Sequence, residues 1–308
     1  MQRILITGAL GQLGRSLCME LSKDPNNFIL ATDIATTSEK LPFSIHQADV
    51  CDYDYLLSLV EKHDINVIYH LVAILSAKGE QAPLKTWEIN MNGFLNIMQI
   101  GVLKKKIKIF WPSSIAVFGS GTPLINTPQN VYNNPRTMYG VTKSTCERLM
   151  EYYRINYGLD IRSLRFPGII SLDTLPGGGT TDYIIELLLA ARDHSSYSCF
   201  LSAETTLPML HIKDAIRSIL ELMKVDKKAH KIHTSYNITG FSVSPEQVIK
   251  ALNKRGIDFH IGYSPDFRQK IADSWPSSID DTAAKNDWGW EVFYNLERTL
   301  DEALDGFI

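Results

Sequence analysis

QRILITGALGQLGRSLCMEL, residues 2–21, joins an apolar run, a glycine-spaced turn and an amphipathic stretch in direct succession. Residues 3–7 read as a strand, and residues 12–23 as a helix with Leu13, Leu17 and Leu21 on one face. Between them lie Gly8, Gly11 and Gly14, spaced GxxGxxG. The first glycine permits a tight strand-to-helix turn, the second lets backbone approach a pyrophosphate, and the third lets the helix pack close to the sheet. The helix N-terminus adds amide N–H groups and the positive end of its dipole. Gly8, Gly11, Gln12, Leu13 and Gly14 are therefore the expected phosphate end of a dinucleotide site.

Outward from this turn, the strand pattern returns at 28–33 and ends on Asp33, 19 residues after Gly14. A carboxylate there accepts hydrogen bonds from both adenosine ribose hydroxyls and repels a 2′-phosphate. No Arg follows within the next few residues, so the reading favours NAD over NADP. Further strands are expected at 44–48, 66–71, 107–111 and 161–166, and helices at 53–63, 87–104 and 139–156, with a surface loop at 123–135. This alternation predicts an α/β fold, a doubly wound parallel sheet of the Rossmann type with right-handed crossovers. After Pro167 the pattern changes to a glycine-rich loop at 175–181 and helices mixed with short strands. Residues 1–167 are assigned to a dinucleotide-binding domain to which some later segments return, and 168–308 mainly to a smaller C-terminal α/β substrate-binding region.

Composition narrows the class. The 308 residues carry 31 Lys+Arg against 34 Asp+Glu, so there is no basic excess for nucleic acid. A hydrophobic fraction of 44% is that of a globular protein. No stretch approaches the roughly 20 apolar residues of a membrane span. Cys18, Cys51, Cys146 and Cys199 lie far apart, with no CxxC pair and no His at ligand spacing, which argues against a metal site or disulfide framework and for a reducing compartment. The N-terminus shows no leader pattern, so the expectation is a cytoplasmic protein, or one of an organelle matrix if a leader has been removed.

Tyr139 and Lys143 are one helical turn apart on one face, and Ser113-Ser114 follow the strand at 107–111. A hydroxyl at a strand's C-terminal end, facing a Tyr/Lys helix beside a dinucleotide, is a constellation in which an alcohol can lose its proton to the tyrosine and its hydride to the nicotinamide. Lys143 is expected to bind the nicotinamide ribose and lower the pKa of Tyr139, which acts as general base while Ser114 bonds the same oxygen. Spacing favours Ser114 over Ser113. His70, at the end of a core strand, reads as a packed, hydrogen-bonded histidine rather than an acid or base.

GALGQLG at 8–14, Asp33, HLVA at 70–73, EINMNG at 88–93, SSIAVFG at 113–119 and YGVTK at 139–143 resemble the extended short-chain dehydrogenase/reductases. That resemblance implies Asp49 and Val50 beside the adenine, Leu71, Val72 and Ala73 along the dinucleotide groove, and Asn90 as a structural or cofactor-side residue. It places Pro167, Gly168 and Ile169 near the nicotinamide. Phe118 stands where many members have Tyr, and Arg136 precedes Thr137, neither on the proton path.

In the C-terminal half, PGGGTTDY at 176–183, LPMLHIKDA at 207–215, SYNITGFSVSP at 235–245, PDFRQKIADSWPSSIDD at 265–281 and DWGW at 287–290 resemble the short-chain L-threonine 3-dehydrogenase family. The resemblance implies a substrate pocket of Ser76, Gly79, Ser114, Tyr139, Thr180, Thr181 and Trp275, oxidation of a threonine 3-hydroxyl with hydride passing to NAD, and no metal. Trp275 equally suits packing, and the glycine loop equally suits a plain surface turn. A nucleotide-sugar epimerase or dehydratase shares the fold, NAD and the Tyr/Lys pair, and an NAD-binding sensor shares the scaffold without needing the triad. By analogy with the fold class, helices 87–104 and 139–156 are expected to form a four-helix homodimer interface.

Overall fold

β1 (Gln2–Thr7) is buried from Ile4 onward and stops at Gly8, whose φ of 76° turns the chain into α1 (Gln12–Leu21). The computed structural model describes residues 1–173, 177–227 and 229–304. Residues 175 and 176 of the glycine-rich loop lie outside the described residues, as do residues 305–308 of the C-terminal region.

The chain continues through β2 (Asn27–Asp33), β3 (Ile45–Gln47), α2 (Tyr53–Lys62), β4 (Val67–His70), α3 (Ser76–Gln81), α4 (Pro83–Lys104), β5 (Lys108–Ser114), α5 (Met138–Tyr157) and β6 (Asp160–Phe166). Beyond these come β7 (Gly168–Ile170), α6 (Tyr183–Arg192), β8 (Ser198–Cys199), β9 (Leu207–His211), α7 (Ile212–Lys224), β10 (Tyr236–Asn237), β11 (Phe241–Val243), α8 (Pro245–Asn253), β12 (Gly262–Tyr263), α9 (Phe267–Ala272), α10 (Thr282–Trp288) and α11 (Leu296–Leu304).

Seven strands form one sheet in the order β10-β6-β5-β4-β1-β2-β3, and every pairing in it is parallel. Strand order reverses between β1 and β4, and a crevice opens there at the strands' C-terminal ends. Helices cover both faces. Leu17, Cys18 and Leu21 of α1 and Ile216, Ile219 and Leu222 of α7 bury one face, and Leu56, Phe94, Ile97 and Met150 of α2, α4 and α5 bury the other. The expected Rossmann-type doubly wound sheet is the fold observed.

Beyond shifts of a residue or two at element ends, α3, the start of α4 and the end of β5 differ from expectation, each for a local reason. α4 begins at Pro83, whose missing N–H suits a first helical turn, rather than at residue 87. α3 precedes it, separated only by Ala82, and a six-residue helix is too short to show a period. β5 runs through Pro112 to Ser114, because β4 pairs with it only over Lys108–Phe110 and leaves that side of Pro112 unpaired.

A three-stranded sheet β11-β9-β7 and the pair β12-β8 make up the remaining strands. Their core joins Tyr183, Leu187 and Leu188 of α6 to Val248 and Leu252 of α8, Leu300 of α11, and Trp275. No described helix is long and apolar enough to cross a membrane. All four cysteines are free thiols.

Candidate active site

A cleft of about 770 Å³ opens at the switch point. Gly8, Gly11, Gln12, Leu13 and Gly14 line one end of it, Ser114, Tyr139 and Lys143 its middle, and Ser76, Thr180, Thr181 and Trp275 the rest. Leu71, Ala73, Pro167, Gly168 and Ile169 also line it.

At the glycine end, a Cβ on Gly14 would fall 2.0 Å from the Gly8 carbonyl oxygen, so any side chain there would push α1 off β1. Gly11 caps α1 with no side-chain hydrogen bond, which leaves first-turn amides to face the cleft. Asp33 is held at the end of β2 by N–H donors, Leu10 to Oδ2 at 2.9 Å and Ala35 to Oδ1 at 3.0 Å. A helix end open to phosphate and a fixed carboxylate for a ribose together fit a dinucleotide.

At the centre, Ser113 and Ser114 part company. Ser113 is buried and donates to Glu147 Oε1 at 2.6 Å, whereas Ser114 lines the cleft together with Tyr139 and pulls the phenol's pKa down. The Ser114 hydroxyl also accepts the Ala116 N–H at 3.2 Å, which starts a 3₁₀ turn at Ile115–Val117 and fixes the oxygen. Thr137 caps α5 through the Gly140 N–H, and Glu80 of α3 accepts the Met138 N–H at 2.7 Å. Both donors belong to the first turn of α5, which carries Tyr139.

Lys143 Nζ donates to the Pro112 carbonyl at 2.5 Å and sits 4.3 Å from the centre of the Trp111 ring. Burial pushes its pKa down to about 8, against the opposing pull of Cys146 and Glu147. Burial pushes Tyr139 up to about 12, partly offset by the Ser114 hydrogen bond. Desolvation governs the phenol, and the ammonium, 5.4 Å from the ring centre, is turned toward Pro112 and Trp111.

Below this centre, Glu147 and Arg165 form a buried pair with contacts of 2.8 Å to each carboxylate oxygen. Burial alone would raise Glu147, but the Arg165 charge and hydrogen bonds from Arg165, Ser113 and Asn133 hold it below its ordinary range. His70 is buried, with Nδ1 2.8 Å from Thr7 Oγ1 and Nε2 without a partner. Burial, aided by the Lys143 charge, lowers its pKa to about 3, so the ring is neutral.

At the far end, Ser76 Oγ lies 3.0 Å from Thr180 Oγ1 and accepts the Thr180 N–H at 3.2 Å, stitching the start of α3 to the glycine loop. Asp182 Oδ2 accepts the N–H groups of Gly178 at 2.8 Å and Gly179 at 2.7 Å. Burial raises the Asp182 carboxyl, though those two N–H groups oppose it. The stem of Lys78 runs beneath Gly178, where a Cβ would meet it at 2.7 Å.

Several expected residues lie behind the cleft rather than on it. Asn90 ties Ile74 to α5, accepting the Ile74 N–H at 2.8 Å and donating to Thr142 Oγ1 at 3.2 Å, so its place is structural. Gly79 backs Tyr139, with a would-be Cβ 3.7 Å from the tyrosine Cβ. Val72 packs under Gly8, and Val50 packs against Gly93. Asp49 is exposed and accepts the Cys51 N–H at 2.9 Å. The sequence reading passed over Arg15, Lys78, Asp173 and Asp182, which line the cleft, and Glu147 beneath it. Glu147 was open to view, one turn past Lys143 on the same helix face. Among the described residues no group of His, Cys, Asp or Glu is placed to hold a metal ion.

Residues 4–239 match the model of the NAD dependent epimerase/dehydratase family. An uncharacterized epimerase/dehydratase of Staphylococcus saprophyticus is 40% identical, over 99% of this chain and 97% of the relative. The holo form of a GalE-like L-threonine dehydrogenase from Cupriavidus necator superposes with a TM-score of 0.96 at 40% identity, covering 99% of both chains. Its apo form gives a TM-score of 0.85 at 36% identity, covering 100% of both. A solved structure described as a monomeric L-threonine 3-dehydrogenase, from metagenomic sequence, gives a TM-score of 0.95 at 39% identity, covering 99% of this chain and 98% of that one. These similarities run over nearly the whole chain, and the chain belongs to the NAD dependent epimerase/dehydratase family, with NAD as its cofactor.

Proposed function

We propose that this protein oxidises the 3-hydroxyl of L-threonine to 2-amino-3-oxobutyrate, reducing NAD to NADH and releasing one proton. The carrying observation is that Ser114, Tyr139 and Lys143 share one cleft with Ser76, Thr180 and Trp275. Bound NAD supplies a hydride acceptor and a positive nicotinamide ring. Tyr139, as its phenolate, takes the hydroxyl proton, Ser114 holds that oxygen, and Lys143 stabilises the phenolate beforehand with its charge. In this reading Gly8, Gly11, Gln12, Leu13 and Gly14 hold the pyrophosphate, Asp33 the adenosine ribose, and Leu71, Ala73, Pro167 and Ile169 the nicotinamide half.

The charge inventory supports a small zwitterion over a nucleotide sugar. Among described residues the cleft's cations are Arg15, Lys78 and Lys143. Arg15 is paired with Glu39 and Lys143 is at the reaction centre, leaving Lys78 alone at the substrate end. One ammonium matches one carboxylate, and Asp182 supplies the opposite charge, whereas a second diphosphate calls for more cations. The similarity to solved threonine dehydrogenases over the whole length points the same way.

The deciding experiment follows NADH absorbance with L-threonine, its stereoisomers and nucleotide sugars. Net NADH with L-threonine is expected. No NADH from any hydroxy-amino acid, with turnover of a nucleotide sugar, overturns the reading. We further propose residues 1–167, joined by β10 and α7, as the NAD domain and the rest as the substrate region, in a two-fold homodimer of a reducing, cytoplasmic compartment. The pairing of β10 with β6 and the packing of α7 with α1 support that division.

A further inference from the structure

Arg15 stands immediately after the glycine turn, in the first turn of α1, and lines the cleft. Its guanidinium grips Glu39 with both arms, Nη1 to Oε2 at 2.7 Å and Nη2 to Oε1 at 2.5 Å. Glu39 lies in the connection between β2 and β3, six residues beyond Asp33. The pair therefore spans from the phosphate-facing helix to the segment that carries the ribose-binding carboxylate. Asp173, another cleft residue, adds its charge on Arg15.

An arginine beside the adenosine ribose is the usual host for a 2′-phosphate, because its planar fork matches phosphate oxygens. Here that fork is already filled. Glu39 pairs with that guanidinium and Asp173 adds a second negative charge on it, while Asp33 stands at the end of β2 as a further carboxylate. We propose that Glu39 is a second determinant of NAD over NADP, acting by occupying Arg15, in addition to the direct repulsion from Asp33. Glu39 is thus a positioning residue for Arg15.

The pair is partly exposed, with side-chain exposures of 26% and 50%, so replacing Glu39 leaves no buried charge behind. It should change the fit of the cofactor's 2′ position rather than the fold. The test is calorimetric titration of NAD and NADP into the intact protein, which reads binding without turnover and is independent of the substrate. Glu39→Gln is expected to shift the NADP-to-NAD affinity ratio toward NADP by about tenfold, since one negative charge is lost and the two N–H donors that Glu39 holds are released. Adding Arg15→Gln to that variant is expected to abolish the gain. An unchanged ratio in Glu39→Gln, or the same gain persisting in the double variant, overturns the proposal, because the first shows that Glu39 does not matter and the second that it does not act through Arg15. Equal melting temperatures for the three proteins exclude misfolding, and Glu39→Ala serves as a second variant should Glu39→Gln melt early.

Discussion

Tyr139 is a phenol held where it ionises with difficulty. Burial puts its pKa at about 12 in the free chain, and the Lys143 ammonium beside it, pushed down to about 8, is itself close to losing its charge. A general base must shed its proton before it can act, so a raised phenol pKa makes kcat/KM climb as pH rises from neutrality. A positively charged nicotinamide bound beside the phenol would move the rising limb toward neutral pH, and the lysine charge would move it the same way. Lys143→Met is therefore expected to shift the limb to higher pH, read from kcat/KM profiles; a shift to lower pH contradicts the assignment. Tyr139→Phe is expected to cut kcat by about 10²-fold or more while NAD still binds, measured by NADH absorbance beside a binding titration. At this scale the sequence was only partly legible. The Tyr/Lys spacing follows from helix geometry alone, but Ser113 and Ser114 separate only after Glu147 docks beneath β5 and takes one hydroxyl. Lys78 and Asp182 had no pattern of their own; the loop that folds between them makes them neighbours of the cleft.

α5 joins three requirements in one helix. Its first turn carries Tyr139, its second Lys143, and its third the buried Glu147 that meets β6 through Arg165. Gly140 makes the first of these possible, because a Cβ there would stand 2.1 Å from the Ala116 carbonyl oxygen and 2.8 Å from Pro135. Gly140→Ala must move α5 away from the 3₁₀ turn after Ser114, parting the phenol from the hydroxyl. The expected result is a fall in kcat of about tenfold or more with a loss of about 1–3 kcal/mol in stability, read by assay and denaturant titration. Glu147→Ala leaves Arg165 buried without its carboxylate, and about 3–5 kcal/mol of stability is expected to go with it. Apart from the short α3, the helices and strands up to β6 were legible because most of them are apolar runs or periodic stretches of useful length, bounded by polar breaks. The short strands from β7 to β12 were not, since two to five residues carry no period and their pairing depends on distant partners.

At the scale of the whole molecule, two buried histidines make the fold acid-sensitive. His70 and His230 are both lowered to about 3, by burial first and then by nearby cations. Their unfolded value is about 6.5, so below that pH the unfolded chain takes up protons that the folded chain refuses. Stability is expected to fall as pH drops from about 6.5 toward 3, with proton uptake on unfolding near pH 5, measurable by calorimetry in buffers of different ionisation enthalpy. The alternation of strand and helix patterns up to residue 166 had already identified the molecule's larger plan, a parallel sheet covered by helices on both faces, whereas the order of its strands depends on contacts distant in sequence. Assembly is a separate question, since a solved relative 39% identical is described as monomeric and the fold alone does not require a partner.

The surface of α4 and α5 bears on that question directly. Leu84 is 83% exposed and Ile155 68%, with Trp87, Leu103, Tyr152 and Tyr157 also exposed on these two helices. Lys85, Glu88, Asn92 and Gln99 interrupt the apolar side chains on α4. Such a face can be covered by its two-fold copy, which pairs helix with helix, but its polar share makes it less sticky than an obligate interface. A standard interface of about 1,600 Å² is thus the expectation, with dissociation on dilution rather than a permanent dimer. Sedimentation over a concentration series is expected to show dimer giving way to monomer as the protein is diluted. Leu84→Glu combined with Ile155→Glu should leave monomer throughout with an unchanged single-chain fold, because neither side chain is packed within its own chain. A wild-type protein that sediments as monomer at every concentration removes the dimer and leaves the cleft, built wholly within one chain, to work alone.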